Sequence, residues 1–178
     1  MTQYAYTGAV KQVVNRASAT DEVNTYSVDF TATPTSGNTL VLFAVAAQAN
    51  DFTAAWGDDP TGWTLRTETV TQPRHPITGI WTKVSDGTEG TVTLTTDPLL
   101  GTTSIGSVSF NLTVVELEPD WAFDVAGTHS TDSAAAATVT TGTLSSGEHL
   151  GMFVTTCRNG RFMPTTASYD RLLLDAAG

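Results

Sequence analysis

Pro34-Thr35-Ser36-Gly37-Asn38-Thr39, followed by Leu40-Val41-Leu42-Phe43-Ala44-Val45-Ala46-Ala47, is the stretch whose reading decides the fold. A polar turn with Gly and Asn feeds an apolar run far too short to cross a membrane. A continuous apolar run of this length, opened by a turn, reads as a central strand buried on both faces. A second stretch repeats the pattern. Leu144-Ser145-Ser146-Gly147-Glu148-His149 leads into Leu150-Gly151-Met152-Phe153-Val154-Thr155-Thr156, with Ser-Gly, two polar residues, Leu, a gap and Phe at the same offsets. Two such starts predict one β-domain built from two related halves.

Working outward, Tyr26, Val28 and Phe30 alternate with polar residues, which predicts a half-buried strand. Further strands are expected over Trp63 to Val70, Gly79 to Val84, Thr91 to Thr96 and Val108 to Leu117. In these, Trp81 and Lys83 oppose Ile80, Thr82 and Val84, and Val92 and Leu94 point inward. Pro73 and Pro76 mark a connection over Gln72 to Thr78. Small residues over Ala135 to Thr143, the run Leu150 to Cys157, and Tyr169 to Leu174 complete about eight short strands. Ala49 to Gly62 and Asp120 to Ala134 read as long connections. Strands at this spacing with long crossing loops predict an all-β antiparallel β-sandwich, of jelly-roll type. Residues 1–23, with weak periodicity and a short strand at Ala9 to Val14, read as an extended N-terminal arm. The sandwich is expected over residues 24–178. The second half lacks partners for the later strands of the first, which points to the N-terminal part of a longer protein.

Composition narrows the function. The chain has 178 residues, 40% hydrophobic and only 15% charged, enough for one substantial core. Thr makes up about a fifth and favours strands. The net charge of −10 and pI near 4.4 repel phosphate backbones, so no nucleic-acid groove is expected. Cys157, the one cysteine, excludes an internal disulfide. Met1 to Tyr6 show neither a basic nor an apolar leader region, and no membrane span is visible. Folding in a cytoplasm is expected.

Pro34-x-Ser36-Gly37-Asn38-x-Leu40-Val41, then Pro60-x-Gly62-Trp63-Thr64, Trp81-x-Lys83-Val84, Val92-x-Leu94 and Val115-Glu116-Leu117 stand in a distinctive order. In that order the chain resembles a jelly-roll domain family of tailed-phage virion proteins, common in phages of actinobacteria, that includes decoration and minor tail proteins. The resemblance covers Phe30 to Leu117 best. It departs where the family has Gly soon after Glu-Leu and this chain has Glu118-Pro119. It implies a structural or adhesive module of the virion, folded in the host cytoplasm. The expected partners are capsid or tail proteins and further copies of the chain, with a trimer as the symmetric guess.

No catalytic constellation is read from the residues. Gly-x-Ser-x-Gly is absent. His75, His129 and His149 fall in loops or turns, and Cys157 falls in an expected strand. Glu116 and Glu118 share one side of a strand but have no visible partner for glycan hydrolysis. No cofactor is expected. Ca²⁺ is the one metal considered, through Asp51, Asp58 and Asp59 of one loop. For a ligand or partner contact the candidates are Trp56, Asp58, Asp59 and Trp121. Trp56, in Ala55-Trp56-Gly57-Asp58-Asp59, is expected to be an exposed aromatic platform, and host-surface glycan is the alternative ligand. Trp63 and Trp81 are expected in the core. Asn111-Leu112-Thr113 matches a glycosylation sequon inside a strand.

Overall fold

The computed structural model describes residues 10–21, 25–47, 55–69, 77–96, 108–129, 139–143 and 145. Among them there is no helix, and the strands form antiparallel sheets in the manner of a β-sandwich. The strands are β1 (Val10–Asp21), β2 (Thr25–Asp29), β3 (Thr39–Ala47), β4 (Thr64–Thr69), β5 (Ile77–Val84), β6 (Thr91–Thr95), β7 (Val108–Leu117), β8 (Gly127–His129) and β9 (Val139–Thr141). One five-stranded sheet runs in the order β1-β7-β3-β5-β4, while β2 pairs with β6 and β8 with β9.

The central strand is the apolar run expected from the sequence. Residues 40–46 of β3 are all buried, because the two faces of the sheet are covered by different parts of the chain. On one face Leu40, Leu42, Ala44 and Ala46 join Val14, Trp81, Phe110, Leu112 and Val114, and meet Tyr26, Val28, Val92 and Leu94 from β2 and β6. Tyr26 packs on Phe110 with ring centroids 4.6 Å apart. On the other face Val41 and Phe43 join Val115 and Leu117, with Val10, Ile80 and Trp121 packed against them. Phe123 lies beside that face under the Arg66 guanidinium, 4.6 Å from its ring centroid. Period-two alternation in β5 and β7 supplies both faces at once.

The turn before β3 closes as read. Asn38 N–H donates to Thr35 C=O at 3.1 Å, and Gly37 carries the positive φ of 90° that the third position of such a turn requires. Gly37 N–H also bonds Ser85 C=O at 2.9 Å, so this turn is stitched to the one that follows β5. Gly79 has another role. A Cβ there would collide with the Trp81 ring, so its missing side chain is the space into which that indole folds back.

Three expectations change. The short strand expected at Ala9 to Val14 is present from Val10 but runs on to Asp21 as β1, and it is paired with β7 from Val10↔Leu117 to Asp21↔Val108 rather than extended as an arm. This register buries Val14 in the main core. Strand β5 starts at Ile77, inside the segment expected to be a connection, because Pro76 precedes its first ladder residue. Strand β8 forms within the Asp120 to Ala134 connection. The second turn at 144–149 apart from Ser145, the run Leu150 to Cys157 and the strand Tyr169 to Leu174 lie outside the described residues.

Candidate functional site

From Ala55 the segment that leads to β4 runs along β6. Trp56 bridges Thr96, and Gly57 N–H donates to Thr95 C=O at 2.9 Å. At Asp58 the segment leaves that edge. Pro60-Thr61-Gly62-Trp63 then turns, with Trp63 N–H on Pro60 C=O at 2.9 Å, and delivers the chain into β4. A cleft of about 590 Å³ opens between this segment, the end of β5 and the length of β6. Its walls carry Asp58, Asp59, Trp63, Lys83, Glu89 and the Thr91 to Thr95 strand.

The cleft's cation is internally neutralised. Lys83 Nζ lies 2.9 Å from Glu89 Oε1 and 3.4 Å from Asp86 Oδ2. Burial works most strongly on Glu89 and by itself would raise its carboxyl. Hydrogen bonds from Lys83 and Ser85 and from the backbone at Glu89 and Asp86 together outweigh it, and hold the group at about 2. The Glu89 hydrogen bond raises Lys83, against burial. Asp86 is held below the ordinary carboxylate range by the Thr88 hydroxyl and then the Thr88 N–H. The ion pair thus pins the Ser85 to Gly90 turn across the end of β5. In the sequence its acidic partners lie inside Ser85-Asp86-Gly87-Thr88-Glu89-Gly90, a run whose composition signals only a turn. The available signal was a Lys on the core-facing side of β5 followed by an acidic turn.

The four candidate contact residues do not converge. Trp56 is the clearest correction: it is 8% exposed and belongs to the main core, edge-on to Trp81 with ring centroids 5.6 Å apart. Its bridge to Thr96 directs the side chain inward, so it offers no platform. Asp58 and Asp59 are exposed on the cleft wall, and Asp59 Oδ1 accepts the Trp81 indole N–H at 2.7 Å. Trp121 sits on the opposite face of the five-stranded sheet, against Val41, Phe43, Val115 and Leu117. Its carbonyl accepts the Thr39 hydroxyl. Trp63 and Trp81 are in the core, as expected. Of the calcium set Asp51 lies outside the described residues, and among those described no cluster of three or more His, Cys, Asp or Glu is placed to hold a metal ion.

The candidate carboxylate pair is divided between two structural roles. Glu116, 3% exposed, accepts Thr35 N–H at 2.8 Å and Asn38 Nδ2 at 2.6 Å through Oε1, and Gln12 Nε2 at 2.6 Å through Oε2. It fastens the turn before β3 to β1 and β7. Glu118 forms an exposed ion pair with Lys11 at 2.5 Å. The strand exit after the Glu-Leu pair is closed by Trp121 N–H on Glu118 C=O at 3.3 Å, which accommodates Pro119. Asn111 of the sequon is buried and accepts Asn15 Nδ2 at 2.7 Å. The folded chain therefore does not present it for modification.

Comparison with known protein families, with curated proteins and with solved structures finds no match.

Proposed function

We propose that the protein is a non-enzymatic structural component of a tailed-phage virion, a capsid decoration or minor tail protein that works by binding other proteins. In this reading the chain is wired as a jelly roll, folds in the host cytoplasm and joins capsid or tail proteins in several symmetric copies, a trimer being the simplest arrangement. The order of motifs from Pro34 to Leu117 supports it. The observation that carries it furthest is the use of Glu116. This side chain, one of the two carboxylates considered for hydrolysis, is enclosed by three donors that hold the scaffold together. A general acid or base needs a face open to substrate.

The alternative, a glycan-binding host-recognition module, rested on an exposed Trp56 and has lost that feature. Paired co-sedimentation distinguishes the two. Labelled protein is mixed with virus particles lacking it and, separately, with intact host cells. Pelleting with particles alone is the expected result; pelleting with cells alone would refute the proposal. Truncation separates the leading residues from β1. Removing residues 2–9 leaves β1 intact, whereas removing Thr2 to Val14 also deletes residues paired with β7.

A further inference from the structure

The antiparallel pair of β2 and β6 fixes which way each backbone group of β6 points. Phe30 N–H bonds Gly90 C=O at 3.0 Å on the β2 side, and Thr95 C=O accepts Gly57 N–H on the other. Hydrogen-bonding direction alternates along a strand. Given the register Val28↔Val92 and Tyr26↔Leu94, Gly90, Val92 and Leu94 bond toward β2. Thr91, Thr93 and Thr95 then direct N–H and C=O to the outer edge. Thr95 is capped by Gly57, but Thr91 and Thr93 have no backbone partner there among the described residues. They border the cleft that opens where the segment leaves β6 at Asp58. Their side chains do not block it: Thr93 Oγ1 is hydrogen-bonded to Ser27 Oγ at 2.9 Å and Thr91 Oγ1 to Asp29 Oδ1 at 2.7 Å, both across to β2.

An open strand edge is a template for a further strand. The charge around this one selects among strands. Lys83, the cation among the lining residues, is matched by Glu89 and Asp86. Asp58 and Asp59 remain on the facing wall, in a chain of net charge −10. An acidic segment would meet repulsion there and a basic one attraction.

We propose that the outer edge of β6 is a docking groove that takes an extended, basic segment of a partner protein by strand addition. The backbone of Thr91 and Thr93 supplies the hydrogen bonds, and Asp58 with Asp59 supplies the charge preference. The inference rests on the protein-binding reading above and names its face and partner chemistry.

The test is fluorescence anisotropy with a short dye-labelled peptide of alternating Lys and Val. Its controls are the same peptide N-methylated at alternate amides and a Glu-Val counterpart. The Lys-Val peptide is expected to bind, more weakly as salt rises. Each control should bind at least about tenfold more weakly, a difference of about 1.4 kcal/mol. Thr93→Pro removes an N–H that faces the groove and not β2, and should lower affinity with the melting temperature retained. Asp58→Lys should do so through charge. Equal binding of the methylated peptide would mean charge attraction without strand addition, and overturns the proposal. So does equal binding of the Glu-Val peptide, or no binding up to about 1 mM. Self-association that Thr93→Pro abolishes would make a second copy the occupant and also overturn it. Failed peptide binding with normal uptake onto particles removes this inference and leaves the virion reading standing. Peptide binding without particle uptake does the reverse.

Discussion

Replacing Glu116 by Gln tests whether this carboxylate is a structural clamp. The substitution keeps size and shape but removes the charge and turns one acceptor oxygen into a donor. Glu116 Oε1 holds Thr35 N–H and Asn38 Nδ2, while Oε2 holds Gln12 Nε2. Whichever way the amide settles, its NH₂ faces a donor. If it faces Gln12, one charge-assisted bond is lost; if it faces the turn, two are lost. Each bond to a charged group contributes about 1.5–3 kcal/mol, and a buried donor left unsatisfied costs about 1–3 kcal/mol. The expected loss is about 3–5 kcal/mol, a large part of the roughly 5–15 kcal/mol that holds a typical domain together. Urea unfolding followed by tryptophan fluorescence measures it, with an unchanged slope confirming that the denatured state is not the cause. Glu118→Gln is the internal control: its exposed pair with Lys11 should be worth under about 1 kcal/mol. A Glu116→Gln protein within about 0.5 kcal/mol of the parent, or one indistinguishable from Glu118→Gln, would refute the clamp and reopen the question of what the carboxylate does.

Three more expectations follow from the same geometry. Glu89 lies at about 2 in the folded chain against 4.5 unperturbed, so its contribution is complete above pH 4.5 and disappears as pH falls toward 2. Taken in full the displacement is roughly 3.4 kcal/mol, which solvent screening at the cleft reduces to about 1–2 kcal/mol. The stability gap between the parent and Glu89→Gln should accordingly shrink between about pH 6 and about pH 3, and a constant gap would count against the ion pair. Trp56→Ala should lower stability by about 3–5 kcal/mol, as for a core aromatic, where a surface platform would leave the melting temperature unchanged. Gly79→Ala should cost at least about 1–3 kcal/mol, because its methyl meets the Trp81 ring; an unaltered unfolding midpoint would show that the indole can move aside freely.

The sequence made β3, β6 and β7 legible because each has one dominant signal. In β3 an unbroken apolar run means burial on two faces, and in β6 Val92 and Leu94 alternate with Thr. Strand β1 was legible only in its first half, as a short strand over Ala9 to Val14; its run to Asp21 and its place beside β7 were not. Its Lys11, Gln12, Asn15 and Arg16 look like solvated arm residues, but partners far along the chain meet all four, Lys11 pairing with Glu118. Gln12 reaches Glu116, Asn15 reaches Asn111 and Thr113, and Arg16 spans to Ser27 C=O and over Phe110. Polar side chains satisfied at such separation leave no local periodicity to read.

Trp56 was misplaced for a related reason, and the same local event created the groove. A strand announces itself by alternation over at least four residues. Among the described residues the segment pairs with β6 around Trp56 and Gly57, and then Asp58, Asp59 and Pro60 draw it away. The brief contact is sufficient to turn the indole inward onto Trp81 and Gly79, although its neighbours in sequence read as an exposed loop. Continued pairing in the same register would set Asp59 opposite Thr93. Asp59 instead holds the Trp81 indole N–H, so the contact that secures the core also keeps the segment off the upper edge of β6. The buried Trp56 and the Thr91 to Thr93 edge, unpaired on that side among the described residues, both follow from where this pairing ends. Extending that pairing by loop redesign should close the groove and leave Trp56 in the core, whereas exposing Trp56 should disturb both.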